Sequence, residues 1–482
     1  MKRILCSYAR VATFAAVLAL LVSCAVNPVT GKRDFMLLTE ADEIQLGKQT
    51  DPEVIATYGL VENPQLNAYV GELGQRLARV SHRPQLPFSF KVLDSPVINA
   101  FAVPGGFVYL TRGILAYLND EAELAGVMGH EIGHVTARHT AKQYSKSMVV
   151  GLGLEIGKGL SSEFRKYAPY VEFGVGMLFL KFSRDDERQA DELGVTYSTK
   201  AGYDAAHMAN LFVTLERLQP SSAQSLPDWF STHPNPPSRI KNIQQLAAQW
   251  KKTVGATDYK VNAEQYLRTI DGIVFGEDPR QGYVADGMFY HPTMRFQFPV
   301  PQNWKLVNTP SQVQMVSAQE DAVMLFMLAK EPTPRAAADK FAQETGATVL
   351  ESTTLQVNGL PAHRLVTDLA SGGSRLSVLS YFIQKGNTVF VFHGYTLQTA
   401  FAQYRALLQS TMSQFRELTD PARINVKPAI LRIKPAPRQA TLRELLTGFG
   451  VAEDKLTAMA VLNGRNLEEL LPAGTLLKVV EK

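Results

Sequence analysis

The stretch Asp120-Glu121-Ala122-Glu123-Leu124-Ala125-Gly126-Val127-Met128-Gly129-His130-Glu131-Ile132-Gly133-His134-Val135 decides the fold. Asp120 followed three residues later by Glu123 reads as a capping box. Leu124, Val127, Met128, Ile132 and Val135 give the helix it opens an apolar side. At about 100° per residue, His130 and His134 fall about 40° apart, one turn along the same face, so two imidazoles can grip one ion. Glu131 stands about 100° round from His130, close enough to reach a water on that ion without being a ligand itself. Gly126, Gly129 and Gly133 share the other flank, where a neighbouring element can approach the backbone.

The remaining ligand must come from elsewhere. The only cysteines are Cys6 and Cys24, which excludes a disulfide framework and a Cys-based metal site. A metzincin continuation would need Gly at 137 and His at 140, but Ala137 and Thr140 stand there, and His139 points off the ligand face. Further on, Ser183-Arg184-Asp185-Asp186-Glu187-Arg188-Gln189-Ala190-Asp191 opens a second helix with Ser183 as its cap. Glu187 and Asp191 lie one turn apart on it. A His₂Glu zinc site needs one such glutamate to complete an open tetrahedron, and Asp191 can accept the second N–H of a ligand imidazole and fix its tautomer.

The chain has 482 residues, 45% hydrophobic and 20% charged. That supports several folded units and excludes disorder. Lys2, Arg3 and Arg10 precede the apolar run Val11 to Val22, too short to span a bilayer comfortably, and Leu21-Val22-Ser23-Cys24 closes it. This reads as a signal peptide over 1–23. Its removal takes away three basic residues and no acidic one, so the formal charge of +4 falls to near neutrality. Electrostatics give no case for nucleic acid.

Residues 40–81 and 113–250 carry helical spacing, whereas 283–395 alternate, with hairpin signals at Asn358-Gly359 and Gly386-Asn387. The expected organisation is an α+β multidomain chain with boundaries at 24–270, 275–418 and 426–482. A mainly helical zincin-type domain comes first. A small α+β sandwich follows, with helices near Pro334 to Glu344 and Thr399 to Leu418. A strand-helix-helix-strand tail from Ile430 to Val480 comes after a proline-marked connection. Met148 to Phe182 is apolar and glycine-rich but broken by Lys158, Glu163, Arg165, Lys166 and Glu172, so it reads as buried helices or a lid. His291, His363 and His393 read as structural histidines.

Several segments together resemble known families. Leu21 to Cys24 is similar to a bacterial lipobox, which implies lipidation of Cys24, with Ala25 implying the outer membrane. Asn27-Pro28-Val29-Thr30-Gly31-Lys32, Asn99 to Gly106, the histidine helix with Arg138-His139, the block from Ser183 to Asp191, and Thr232-His233-Pro234 resemble the HtpX-like and CAAX-prenyl-protease-like gluzincin metallopeptidases, in particular periplasmic lipoprotein members. The resemblance implies one zinc held by His130, His134 and Glu187, with Glu131 as catalytic base. It also implies that Asn99, Ala100, Phe101 and Ala102 bind substrate as a strand edge. It places His233, on a proline-stiffened loop, near the metal as a latch or as transition-state support, with Arg239 a weaker candidate for the same oxyanion. The 275–418 segment is similar to PsbP-like domains and the tail resembles a LysM module, although Gln439-Ala440 replaces its usual Gly-Asp.

These readings imply a zinc endopeptidase, anchored by lipid to the outer membrane and facing the periplasm, that degrades misfolded or unassembled envelope polypeptides. Peptidoglycan is a further implied partner through the tail. The alternative is a lipid-anchored chaperone or scaffold that cuts little.

Overall fold

The computed structural model describes residues 24–154, 182–218, 229, 233, 238–255, 258–371 and 374–482, with the backbone alone at 24, 25, 147–154, 254, 371 and 374. The expected signal peptide 1–23, residues 155–181 of the apolar stretch, and the residues flanking His233 lie outside the described residues. Two units separate. One contains residues up to 55, 59–276 and 430–481; the other contains 56–58 and 277–429.

In the first unit, β1 (Cys24–Val26) and β2 (Arg33–Phe35) pair antiparallel and precede α1 (Glu40–Tyr58) and α2 (Pro64–Arg79). Strands β3 (Ser89–Leu93), β4 (Ala100–Val103) and β5 (Phe107–Thr111) form a sheet in the order β3-β5-β4, so β4 lies at an edge. Next come α3 (Arg112–Tyr117), α4 (Glu121–Thr136), α5 (His139–Leu154), α6 (Arg184–Lys200), α7 (Met208–Arg217), α8 (Arg239–Val254), α9 (Ala263–Ile270) and β6 (Val274–Phe275).

Helix α4 is the axle of this unit. The Asp120 carboxylate accepts the Glu123 amide at 2.7 Å, and Glu123 in turn accepts the amide of Asn119 at 2.8 Å, one residue before the cap. The sequence gives α4 one apolar side, yet every residue of it is buried. Its polar groups are therefore partnered inside. Glu121, for example, accepts from Tyr69 Oη at 2.5 Å, Tyr203 Oη at 2.6 Å and Asn262 Nδ2 at 3.0 Å. The glycine flank is filled by backbone. A Cβ on Gly129 would stand 3.0 Å from the Gly194 carbonyl oxygen, and one on Gly126 2.5 Å from Met208 Cβ. Only glycine permits so close a crossing of α4 with α6 and the start of α7.

In the second unit, β10 (Lys305–Asn308), β11 (Gln312–Val316), β12 (Ala322–Ala329), β13 (Thr348–Val357), β14 (Leu360–Ser371), β15 (Ser374–Lys385) and β16 (Thr388–Leu397) form one antiparallel sheet in the order β10-β11-β12-β16-β15-β14-β13. The turn Asn358-Gly359, with φ of 49° and 81°, joins β13 to β14. A second sheet has the order β17-β9-β8-β7, from β7 (Tyr283–Ala285), β8 (Met288–His291), β9 (Phe296–Pro299) and β17 (Arg416–Glu417). Alternate residues face opposite ways. Tyr381, Phe390 and Phe392 join a core with Phe296, Phe298 and α11 (Phe401–Ser413), while Phe382, Val389 and Val391 meet Ala337 and Ala338 of α10 (Pro334–Thr345). Helix α11 is shorter than the expected run to Leu418, because Arg416 and Glu417 turn into strand. A short α12 (Pro421–Ile424) follows.

The tail carries β18 (Ala429–Pro435), β19 (Ala440–Thr441), α13 (Leu442–Gly448), α14 (Leu456–Leu462), β20 (Leu470–Leu471) and β21 (Leu476–Glu481). It is part of the first unit: β18 sits between β21 and β6, and Leu431, Leu442 and Leu477 share a core with Leu115, Leu124 and Tyr266. Among the described residues no helix is long and apolar enough to cross a membrane.

Candidate metal centre

Helices α4 and α6, together with His233 from the chain before α8, bring four side chains together. Ligand atoms of His130, His134, Glu187 and His233 all lie within 4.8 Å of one another, and all four residues are buried. His130 Nε2 and His134 Nε2 are 3.0 Å apart, His134 Nε2 is 3.5 Å from Glu187 Oε1, and His233 Nδ1 is 2.9 Å from the same oxygen. The Ser183 capping box sets the start of α6, its hydroxyl accepting the Asp186 amide at 3.2 Å, so Glu187 falls in the first turn facing α4.

The outer contacts decide the protonation of the ring nitrogens. His130 Nδ1 donates to Asp191 Oδ1 at 3.0 Å, which leaves its Nε2 bare. Gln189 Oε1 accepts from His139 Nε2 at 2.8 Å, so His139 Nδ1 is an acceptor and His134 Nδ1–H donates to it at 3.1 Å. His134 Nε2 is then bare as well. Two lone pairs face each other across 3.0 Å beside a carboxylate, an arrangement that a cation between them satisfies. Two imidazoles and a glutamate are the donor set of zinc. Glu131 Oε1 and His233 Nε2 are also buried without a hydrogen-bond partner among the described residues, and they stand 3.7 Å apart.

Burial pushes the Glu131 carboxyl above its ordinary pKa despite the opposing pull of His233 and His130. Burial lowers His134 well below the usual imidazole range. Burial would also raise Glu187, but the neighbouring His233 and His134 hold it well below the carboxylate range. Burial opposes charge on His233 too, yet Glu187 and Glu131 raise its pKa.

The structure differs from expectation at Arg239. Its Nε and Nη2 donate to Asp191 at 2.9 and 2.6 Å, its Nη1 lies 3.0 Å from Glu187 Oε2, and its guanidinium packs over the Phe212 ring. With its fork committed to two carboxylates, it orients the ligand carboxylate instead of facing a substrate oxygen. Asn99, Ala100, Phe101 and Ala102 lie at and on β4, which packs against α4, and Asn99 Oδ1 is buried without a hydrogen-bond partner among the described residues. Cys24 lies in β1; of its side chain nothing is described. His139 and Gln189 are absent from the expected site, although His139 belongs to the quoted Arg138-His139 pair.

Fold and site define a zinc metallopeptidase domain with the histidine pair on α4 and a distal glutamate on α6. Residues 64–247 match the model of Peptidase family M48. The beta-barrel assembly-enhancing protease of Escherichia coli (strain K12) is 29% identical over 228 residues, 45% of this chain and 46% of that one. Its counterpart in Yersinia pestis is 29% identical over 229 residues, with the same coverage of 45% and 46%. The mitochondrial metalloendopeptidase OMA1 of Schizosaccharomyces pombe is 28% identical over 224 residues, 45% of this chain and 65% of that one. The chain thus spans about half the length of the bacterial relatives it matches. Cyanobacterial PsbP from Synechocystis sp. PCC 6803 covers 28% of this chain and 96% of its own at 13% identity and a TM-score of 0.25, too low a likeness to argue from.

Proposed function

We propose that this protein is a zinc-dependent endopeptidase that is lipid-anchored through Cys24 to the outer membrane, faces the periplasm, and degrades misfolded or unassembled envelope polypeptides. The buried convergence of His130, His134 and Glu187 beside Glu131 carries the peptidase reading. The names of the bacterial relatives support the envelope substrate class, and the residues Leu21 to Cys24 support the anchor.

Held by His130, His134 and Glu187, a zinc ion would supply a Lewis acid for the scissile carbonyl and lower the pKa of a water. Glu131, its pKa raised by burial, would take the water's proton and return it to the leaving amine. Asp191 and the His139–Gln189 pair hold the ligand tautomers, and Arg239 holds Asp191 and Glu187. The edge strand β4 is the element suited to pair with an extended substrate, with Asn99 at its start. His233 Nδ1 within the donor cluster is the position of a latch, and with the ring swung outward its Nε2 is a donor for the developing oxyanion.

That same position of His233 favours the second reading, a scaffold that holds clients and cuts little. Purified mature protein with unfolded casein separates the two. Metal-dependent cleavage that falls at least about 100-fold in Glu131→Gln, with zinc still bound, supports the peptidase. Holding of casein without cleavage supports the scaffold. The tail's order of strand, helix, helix and strand supports a LysM-like module touching peptidoglycan, for which sedimentation with purified sacculi is the test.

A further inference from the structure

The path from Cys24 to the metal helix is tied down by hydrogen bonds along its length. Asn27 is buried, and its Oδ1 accepts the amides of Val29 at 2.9 Å and Thr30 at 3.2 Å, which closes the turn that follows. Its Nδ2 donates to Asp34 at 3.0 Å and to the carbonyl of Ala137 at 3.1 Å. Ala137 is the residue that ends α4, three positions after His134. The following residues are stitched to the same place. The Leu37 amide donates to Ser145 at 3.0 Å, Arg138 donates to the Leu38 carbonyl at 2.7 Å, and Arg138 pairs with the buried Glu43. Nothing between Asn27 and Glu43 is free to pay out as a linker.

Three residues separate Cys24 from Asn27, at most about 10 Å of extended chain. Three residues of helix separate Ala137 from His134, about 5 Å along its axis. With the side-chain bridge between them, the metal cluster lies within roughly 20 Å of the Cys24 backbone. Lys32 and Arg33, on the same turn, are exposed cations beside the anchor, suited to anionic headgroups.

We infer that the clamp of Asn27 on Ala137 makes the lipid anchor a ruler, which holds the metal site against the membrane surface and restricts it to polypeptide segments lying within about 20 Å of that surface. This rests on the lipidation of Cys24 and on the peptidase reading. Among polypeptides held by the membrane, the substrates are thereby narrowed to segments close to the bilayer, whereas a chain free in the fluid reaches the site by diffusion.

The full lipidated protein is reconstituted in vesicles of phosphatidylethanolamine with a minority of phosphatidylglycerol. Unfolded reporter segments are attached to the same vesicles on rigid helical spacers of about 15 or about 75 Å, that is, about 10 or 50 helical residues. The expected result is cleavage at least about 10-fold faster on the short spacer. A variant with 20 Gly/Ser residues inserted after Ala25, whose linker reaches up to about 70 Å, brings that ratio under about 2-fold. Asn27→Ala narrows the ratio in the same direction. Casein in solution is cut equally by all three proteins. Equal rates on both spacers with the natural chain overturn the ruler, as does an unchanged ratio in the insertion variant. Mass spectrometry showing no acyl chains on Cys24 removes the anchor and the ruler together, whereas a failure to cut casein removes the peptidase reading, so each failure is seen separately.

Discussion

His130, Glu131, His134 and Glu187 were legible because each follows from a residue type at a fixed spacing on a helix, and spacing survives without tertiary information. His139 was not. Extended past Val135, the helical wheel points it away from the metal, but α4 stops at Thr136 and Arg138 takes a left-handed φ of 59°. The chain therefore restarts, and the ring at the head of α5 folds back onto His134. Because His139 selects the tautomer of His134, His139→Ala is expected to weaken zinc binding 10- to 100-fold with little change in thermal stability once zinc is saturating. Titration of the apoprotein against a competing chelator measures it, and an unchanged affinity would leave His139 without a part in the site. His233→Ala tests the latch: casein cleavage is expected to rise while zinc affinity falls, since a ring nitrogen is lost from the cluster. A drop in cleavage at unchanged affinity would instead assign the ring to the oxyanion.

At the scale of elements, the glycine flank of α4 was visible in the sequence, but its partner was not, because nothing local says which helix crosses there. The structure supplies α6, the helix that carries Glu187. The approach is set by backbone: the carbonyl of Gly194 would stand 3.0 Å from a Cβ on Gly129 and cannot rotate aside as a side chain would. Gly129→Ala is thus expected to prise α6 from α4 by a few tenths of an ångström, at about 1–3 kcal/mol. It should separate Glu187 from the two histidines at the same time. The sign of success is a lowered melting temperature together with weaker zinc binding. A stable variant of normal affinity would mean that the crossing has more slack than the contact allows. The same limit explains β4. Its alternation and hairpin could be read, whereas its place at a sheet edge beside α4 depended on β3 pairing with β5 from the other side.

At the scale of the molecule, the sequence makes residues 426–482 a separate module, since prolines precede it and its own pattern is complete. Its last strand nevertheless carries Lys478, wholly buried, whose ammonium donates to the carbonyls of Ala116 at 2.7 Å, Leu118 at 2.5 Å and Leu462 at 3.0 Å. Two of these acceptors lie at the end of α3, immediately before the cap of α4, and the third ends α14. One side chain thus satisfies the terminal carbonyls of two helices that are more than 300 residues apart in sequence. Burial drives its pKa down, opposed by Glu123 and Asp120, the very carboxylates that start the metal helix. No local pattern marks a lysine of this kind, because a strand that alternates as Leu477, Lys478, Val479 puts it on what looks like the solvent face. Lys478→Met removes three hydrogen bonds and leaves three buried carbonyls without this donor, so a loss of about 3–5 kcal/mol is expected, on the order of 10 °C in melting temperature for a unit of this size. Casein cleavage should fall with it at temperatures where the tail begins to release, and Lys478→Arg should recover part of both, since it keeps the charge but not the fit. A Lys478→Met protein within about 1 kcal/mol of the natural chain would mean that the tail is held by its apolar contacts alone, and that the start of the metal helix does not depend on it.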